Sequence, residues 1–300
     1  MGFLERIRQG EVLLLDGAAG TYLQGKGLAI GQAPETWNLT HPDVVCQMAV
    51  DYFAAGSDLV CTNTFGGNRL RLSHQDMAQQ VEEVNRTAVE LARSGTPGDG
   101  MVVGSIGPTG TFLEPLGTIS EKEMTEVFHS QMEALAKAGV DAFCIETMTA
   151  LDEASLAIKA AASFGLPVLA NMTFDAGPKG FATAMGVTVD QAVDGMMAAG
   201  ADMIGSNCGS GIAQMVEIAG ALGRVSDLPV MVQSNAGLPE LREGVAVYTE
   251  TPQQMAGYCK GLVEAGVSMI GGCCGTGPDH ISAMENKLIE SGCRKKRSPG

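Results

Sequence analysis

The stretch Lys137-Ala138-Gly139-Val140-Asp141-Ala142-Phe143-Cys144-Ile145-Glu146 passes from an amphipathic segment into a short apolar run through a single glycine. Glycine takes the left-handed conformation that ends a helix, and an apolar run without alternation reads as a strand buried on both faces of a parallel sheet. The junction recurs as Ala54-Ala55-Gly56-Ser57-Asp58, Ala198-Ala199-Gly200-Ala201-Asp202 and Glu264-Ala265-Gly266-Val267-Ser268. Working outward, the candidate strands are Val12–Asp16, Asp58–Asn63, Met101–Ile106, Ala142–Glu146, Pro167–Met172, Met203–Cys208, Pro229–Asn235 and Met269–Cys273. Eight strands alternating with helices predict a single closed (β/α)8 TIM barrel. A doubly wound sheet is the alternative; it calls for a glycine-rich phosphate loop after the first strand, and Asp16-Gly17-Ala18-Ala19-Gly20-Thr21 matches that poorly.

Helix starts support the alternation. Thr40-His41-Pro42-Asp43 reads as an N-cap with proline in the first turn, and Ser120…Glu123 and Thr251-Pro252-Gln253-Gln254 read as capping boxes. Behind Ser120, Met124, Val127, Phe128, Met132 and Leu135 fall on one helical face.

With 45% hydrophobic and 18% charged residues, the 300-residue chain has material for one large core. The barrel is expected over 1–292, followed by a disordered basic tail at 293–300 that carries Arg294-Lys295-Lys296-Arg297. A net charge of −15 argues against general electrostatic binding to nucleic acid or an anionic membrane. The chain has no run of 18 apolar residues and no apolar segment after a basic start, so an untargeted cytoplasmic protein is expected. Eight scattered cysteines do not form a disulfide scaffold and fit a reducing compartment. Cys46, Cys61, Cys144, Cys259 and Cys293 read as small packed side chains.

The chemistry of a barrel lies where strands end. Those positions hold Asp16, Thr62, Asn63, Glu146, Asn207, Cys208, Asn235, Cys273 and Cys274. No lysine ends a strand, which disfavours a Schiff-base aldolase. His41, His74, His129 and His280 fall in helices or loops, which disfavours a histidine-metal hydrolase. Cysteine is the strong metal ligand left at the mouth. Vicinal Cys273 and Cys274 can hardly bridge each other, but with Cys208 they present three thiolates from two strand ends to one soft ion. Three ligands leave a zinc position open, the mark of a catalytic site. Such a centre is a weak Lewis acid toward water but holds a substrate thiol as thiolate near neutral pH, so sulfur alkylation is the expected chemistry. The bland alternatives are buried rim thiols, or a structural site closed by a fourth ligand.

The motifs resemble the homocysteine S-methyltransferase family over nearly the whole chain. The resemblance is carried by Leu14-Leu15-Asp16-Gly17-Ala18, Thr62-Asn63-Thr64-Phe65-Gly66, Gly104-Ser105-Ile106-Gly107-Pro108-Thr109-Gly110, Glu146-Thr147, Met172-Thr173-Phe174-Asp175, Asn207-Cys208, Asn235-Ala236-Gly237 and Gly271-Gly272-Cys273-Cys274-Gly275-Thr276. It is strongest toward the homocysteine-binding barrel of cobalamin-dependent methionine synthase. It implies Zn2+ on Cys208, Cys273 and Cys274, homocysteine thiolate as the fourth ligand, and Asp16 and Glu146 near the amino acid's ammonium group. Thr62, Asn63, Asn207 and Asn235 are further candidate substrate contacts. Departures from the family are Gly209-Ser210-Gly211-Ile212, where relatives carry Gly-Pro, and the run Gly177 to Gly186; betaine-type relatives carry a tyrosine that 62–68 lacks.

The expected function is a zinc-dependent thiol methyltransferase in methionine biosynthesis. Its acceptor is homocysteine or a similar thiol, and its donor a methyl-corrinoid (methylcobalamin) protein supplied in trans, because no folate- or cobalamin-binding module is expected within the chain. The alternatives are S-methylmethionine as donor, or a non-catalytic zinc- or thiol-binding component of a corrinoid system. The Gly-rich segments Asp175–Gly186 and Gly209–Ile212 are expected to be mobile.

Overall fold

The structure, a computed structural model, describes residues 2–178, 180–242 and 245–295. Its strands are β1 (Leu13–Leu14), β2 (Leu59–Cys61), β3 (Met101–Ile106), β4 (Ala142–Met148), β5 (Val168–Met172), β6 (Asp175–Gly177), β7 (Gly180–Ala182), β8 (Met203–Cys208), β9 (Val230–Ser234), β10 (Glu240–Arg242), β11 (Val245–Val247) and β12 (Val267–Gly272). Eight of them form one parallel sheet in the order β1-β12-β9-β8-β5-β4-β3-β2, and each predicted strand is found. The four junction glycines, Gly56, Gly139, Gly200 and Gly266, all have φ between +92° and +111°. That region costs glycine nothing and costs other residues a clash.

The sheet closes at the β1–β2 seam with the help of side chains. Asp58 N–H donates to Leu14 O at 2.7 Å, and Asp58 Oδ2 accepts Leu14 N–H at 2.8 Å. Two residues further along the chain from Leu14, Asp16 Oδ2 accepts Cys61 N–H at 2.8 Å. The result is a nearly closed (β/α)8 barrel.

Alternation within each strand sorts inside from outside. Leu13, Leu15, Leu59, Val103, Ala142, Cys144, Leu169, Met203, Met231 and Met269 fill the interior, and Phe3 and Ile7 of the helix Phe3–Arg8 join them. Burying each such large side chain contributes about 1.5–3 kcal/mol. The other parity, including Val102, Phe143, Ile145, Ile204 and Val232, packs against the helices. The helix Glu121–Ala138 buries the predicted face, and Met124, Val127, Phe128, Met132 and Leu135 are all solvent-free. Ser120 accepts Glu123 N–H, and Thr251 and Gln254 form a full capping box. At the helix Pro42–Ala54 the N-cap is His41, where Thr40 was expected; Thr40 Oγ1 is turned back to Thr36 O.

Two features depart from expectation. The Gly-rich segment after β5 folds into the β6–β7 hairpin, and a second hairpin, β10–β11, follows β9. Arg294, expected in a solvated tail, is docked at the N-terminal end of the barrel. Its guanidinium bonds Asp58 Oδ2, donates to Val12 O at 3.0 Å and to Gly56 O at 3.1 Å, and is 5% exposed. A buried aspartate needs that partner, which is why the arginine leaves solvent. The remainder of the expected tail, 296–300, lies outside the described residues. Among the described residues no helix is long and apolar enough to cross a membrane.

Candidate metal centre

Strand parity also builds the mouth. Glu146 lies two residues beyond Cys144 on β4, so it faces inward at the top of the interior column. Ser105 Oγ donates to its Oε1 at 2.5 Å, and Asn207 Nδ2 lies 3.4 Å from its Oε2. Burial is the main cause that raises this carboxyl to about 7; the Ser105 bond opposes the shift and the charge of Cys274 adds to it. Asp16 is buried beside it and is pushed up to about 8, first by desolvation, against the pull of the Cys61 amide. Its Oδ1 has no hydrogen-bond partner.

The three predicted cysteines converge on the same rim. Cys208 closes β8 with φ +63°, and Gly209 and Gly211 continue the turn with positive φ. Cys273 and Cys274 follow β12: Cys273 N–H donates to Ser234 O at 2.7 Å, and Cys274 O accepts Ala236 N–H at 2.9 Å. Thr276 Oγ1 caps the turn on Cys273 O at 2.7 Å. A Cβ on Gly272 would sit 2.2 Å from that hydroxyl, so only glycine fits before the pair.

The three sulfurs lie within 4.8 Å of one another, and Cys208 Sγ and Cys273 Sγ are 3.1 Å apart. A tetrahedral zinc with bonds of about 2.3 Å holds its sulfurs roughly 3.8 Å apart. The donor set therefore fits a thiophilic ion after a small opening of one pair. Hydrogen bonds from Cys208 and Cys273, and one from Tyr248, hold Cys274 as thiolate, whereas its bonds to Cys208 and Cys274, together with burial, push Cys273 well up.

Sulfurs and carboxylates share one cavity of about 540 Å³, lined also by Thr62, Asn63, Ser105, Thr147 and Gln233. Of the other expected contacts, several side chains are committed to the protein itself. Asn63 Nδ2 donates to Pro34 O and Asn38 Oδ1, Asn235 Nδ2 to Gly209 O at 2.8 Å, and Asn207 to Thr147. Thr62 Oγ1 is 2.6 Å from Thr64 Oγ1 and accepts Ser105 N–H. Thr62 and Asn63 nonetheless line the cavity.

Sequence reading missed Tyr248, whose ring lies on the backbone of Gly275 and whose hydroxyl reaches Cys274. It also missed the far wall, where Gln32, Glu35, Arg71 and His74 line the cavity. No spacing rule links those residues to the cysteines. A tyrosine one strand before the pair carried no signal of its own.

Comparison with known proteins agrees with this geometry. The family model for homocysteine S-methyltransferase matches residues 13–288. Methionine synthase from Mycobacterium tuberculosis is 34% identical over 289 residues, covering 90% of this chain and 24% of that protein. The chain thus spans about a quarter of the methionine synthases it matches. Betaine–homocysteine S-methyltransferase 1 from Bos taurus is 29% identical, covering 96% of this chain and 74% of its own length. Among solved structures, the metallated form of the homocysteine methyltransferase MmuM from Escherichia coli superposes with a TM-score of 0.80 at 21% identity, covering 94% of this chain and 98% of that one. On this match across nearly the whole barrel, the chain belongs to the homocysteine S-methyltransferase family, a family of thiol methyltransferases.

Proposed function

We propose that the protein is a zinc-dependent S-methyltransferase that moves a methyl group from a methyl-corrinoid protein, supplied in trans, to the thiolate of homocysteine or a similar thiol. The observation that carries this reading is the meeting of Cys208, Cys273 and Cys274 beside Glu146 and Asp16 in one cavity. When bound by the three cysteines, zinc supplies a positive centre that favours the deprotonated form of an incoming thiol. Glu146, oriented by Ser105, accepts a charge-assisted hydrogen bond from the acceptor's ammonium group, and the neighbouring Asp16 adds its field. A bound ammonium also favours ionisation of both carboxyls. Anchored at the sulfur and at the ammonium, the acceptor would keep a free sulfur lone pair for a donor arriving through the open mouth. Methyl transfer needs sulfur, carbon and leaving group nearly collinear, so the donor must approach from that side. The carbon–sulfur bond forms as the bond from methyl to cobalt breaks, and cobalt keeps the electron pair.

The corrinoid donor is supported by the similarity to methionine synthase, and a second reading has its own observation. The cavity runs on past the sulfurs to Gln32, Arg71 and His74, which leaves room for a small sulfonium donor such as S-methylmethionine. Assays with homocysteine and each donor decide between them. Turnover is expected with a methyl-corrinoid protein, faster than with free methylcobalamin. Turnover with S-methylmethionine alone would promote the second reading. Zinc and thiol binding without turnover on any donor would make the chain a binding component. Changing any one of Cys208, Cys273 or Cys274 to Ala is expected to abolish zinc and activity in a folded barrel; full zinc content in all three variants would sink the metal assignment.

A further inference from the structure

Below the three-cysteine rim, the barrel interior holds a second pair of thiols that methyl transfer does not use. Parity along β2 and β4 turns Cys61 and Cys144 inward, and Glu146 faces the same space. One ligand atom from each, two Sγ and a carboxylate oxygen, lie within 4.8 Å of one another. Cys61 and Glu146 line the cavity, so the group is open to small solutes, while Cys144 is solvent-free behind them. Gln233 Oε1, a further oxygen donor that lines the cavity, lies 3.9 Å from Cys144 Sγ.

A disulfide does not suit this pair. The strand β3 lies between β2 and β4, so the two backbones are roughly 9–10 Å apart at ordinary strand spacing, and a disulfide needs Cα atoms within about 7 Å. A cation that accepts bonds of about 2.3 Å from each sulfur spans the gap that a direct bond cannot. The supply of oxygen donors points the same way. Asp16 is a second buried carboxyl at this level, with an unpartnered Oδ1, while the basic side chains lining the cavity, Arg71 and His74, stand exposed at its rim. Two sulfurs with one carboxylate select soft or borderline ions.

We propose that Cys61, Cys144 and Glu146 form a second site for a thiophilic divalent cation on the cavity floor, and that a cation there competes with the acceptor's ammonium group for Glu146. The competition rests on the function proposed above; the cation site does not. Metal-free protein titrated with cadmium is expected to bind two ions per chain, counted by native mass spectrometry and by sulfur-to-cadmium absorption. Cys144→Ser and Cys61→Ser, both small changes, should each lose one ion and keep the other. The double variant Cys208→Ala/Cys273→Ala should retain the floor ion. Saturating methionine, which carries the ammonium group but no thiol to chelate cadmium, should weaken the floor ion by about tenfold. Saturation of the wild type at one ion, or two ions in both serine variants, overturns the cation site. Two ions that methionine leaves untouched overturn the competition, and with it the placing of the ammonium at Glu146.

Discussion

The side-chain amide of Asn207 grips the backbone turn at Thr147: Nδ2 donates to Thr147 Oγ1 at 2.8 Å, and Oδ1 accepts Thr147 N–H at 2.7 Å. Thr147 has φ +62° and Cys208, the next residue after Asn207, has φ +63°. Left-handed backbone at a non-glycine residue costs on the order of 1–3 kcal/mol, and it persists where its surroundings enforce it. One amide thus ties the turn that carries Glu146 to the turn that carries a metal ligand.

Asn207→Ala is therefore expected to cost about 1–3 kcal/mol in thermal unfolding and to weaken zinc as well. Asn207→Asp, which keeps an acceptor for Thr147 N–H, should recover part of both. Zinc affinity in Asn207→Ala equal to wild type would show that the two turns are independent.

Glu146 gives a pH signature in metal-free protein. Its folded value of about 7 stands above the ordinary 4.5, so the neutral form is the one folding favours. Stability from this group is fully present below pH 4.5 and falls as pH rises through 7, by about 3 kcal/mol in all. Glu146→Gln should unfold at a higher temperature than wild type at pH 8, and the gap should close toward pH 4.5. A gap that does not change with pH assigns the effect to packing.

The barrel was legible because its signals are local. A glycine at four helix–strand junctions and an unbroken apolar run are set by sterics and burial on both faces, and both appear within ten residues. The rim cysteines were legible for a related reason: strand ends are where barrels put chemistry, and three thiols there have few other uses. Asn63 and Asn235 end strands, where an amide suits a substrate contact and a neighbouring loop equally, so their hydrogen bonds to Pro34, Asn38 and Gly209 become visible only in the fold. The hairpins β6–β7 and β10–β11 lacked an apolar alternation, so nothing in the sequence separated them from loops. Arg294 looked like the start of a basic tail because its partner, Asp58, lies 236 residues away.

Arg294 shares Asp58 with Arg6, which bonds Oδ1 at 2.9 Å. Removing a charged partner of a buried carboxylate costs about 3–5 kcal/mol. With Arg6 still in place, Arg294→Ala should cost less than that range, and the Arg6→Ala/Arg294→Ala double variant more than the sum of the single changes. Denaturant melts of the four proteins measure the coupling; simple additivity would show that the two arginines act independently.

Tyr248 offers the last test, at the metal itself. Its ring rests on Gly275, where a Cβ would come within 2.2 Å of the ring, and its hydroxyl donates to the Cys274 sulfur. A hydrogen bond to a thiolate withdraws charge from sulfur, and the metal it binds becomes a better acceptor for an incoming thiol. Tyr248→Phe keeps the ring contact and removes the donor. A hydrogen bond to a charged group contributes about 1.5–3 kcal/mol, and part of that reaches the metal, so KM for the thiol should rise on the order of threefold to tenfold. The pH needed for thiol binding should move upward, and the sulfur-to-metal absorption of cobalt-substituted protein should shift, with zinc content unchanged. A variant whose KM, pH profile and cobalt spectrum all match wild type would leave Tyr248 as a packing residue of the β10–β11 hairpin.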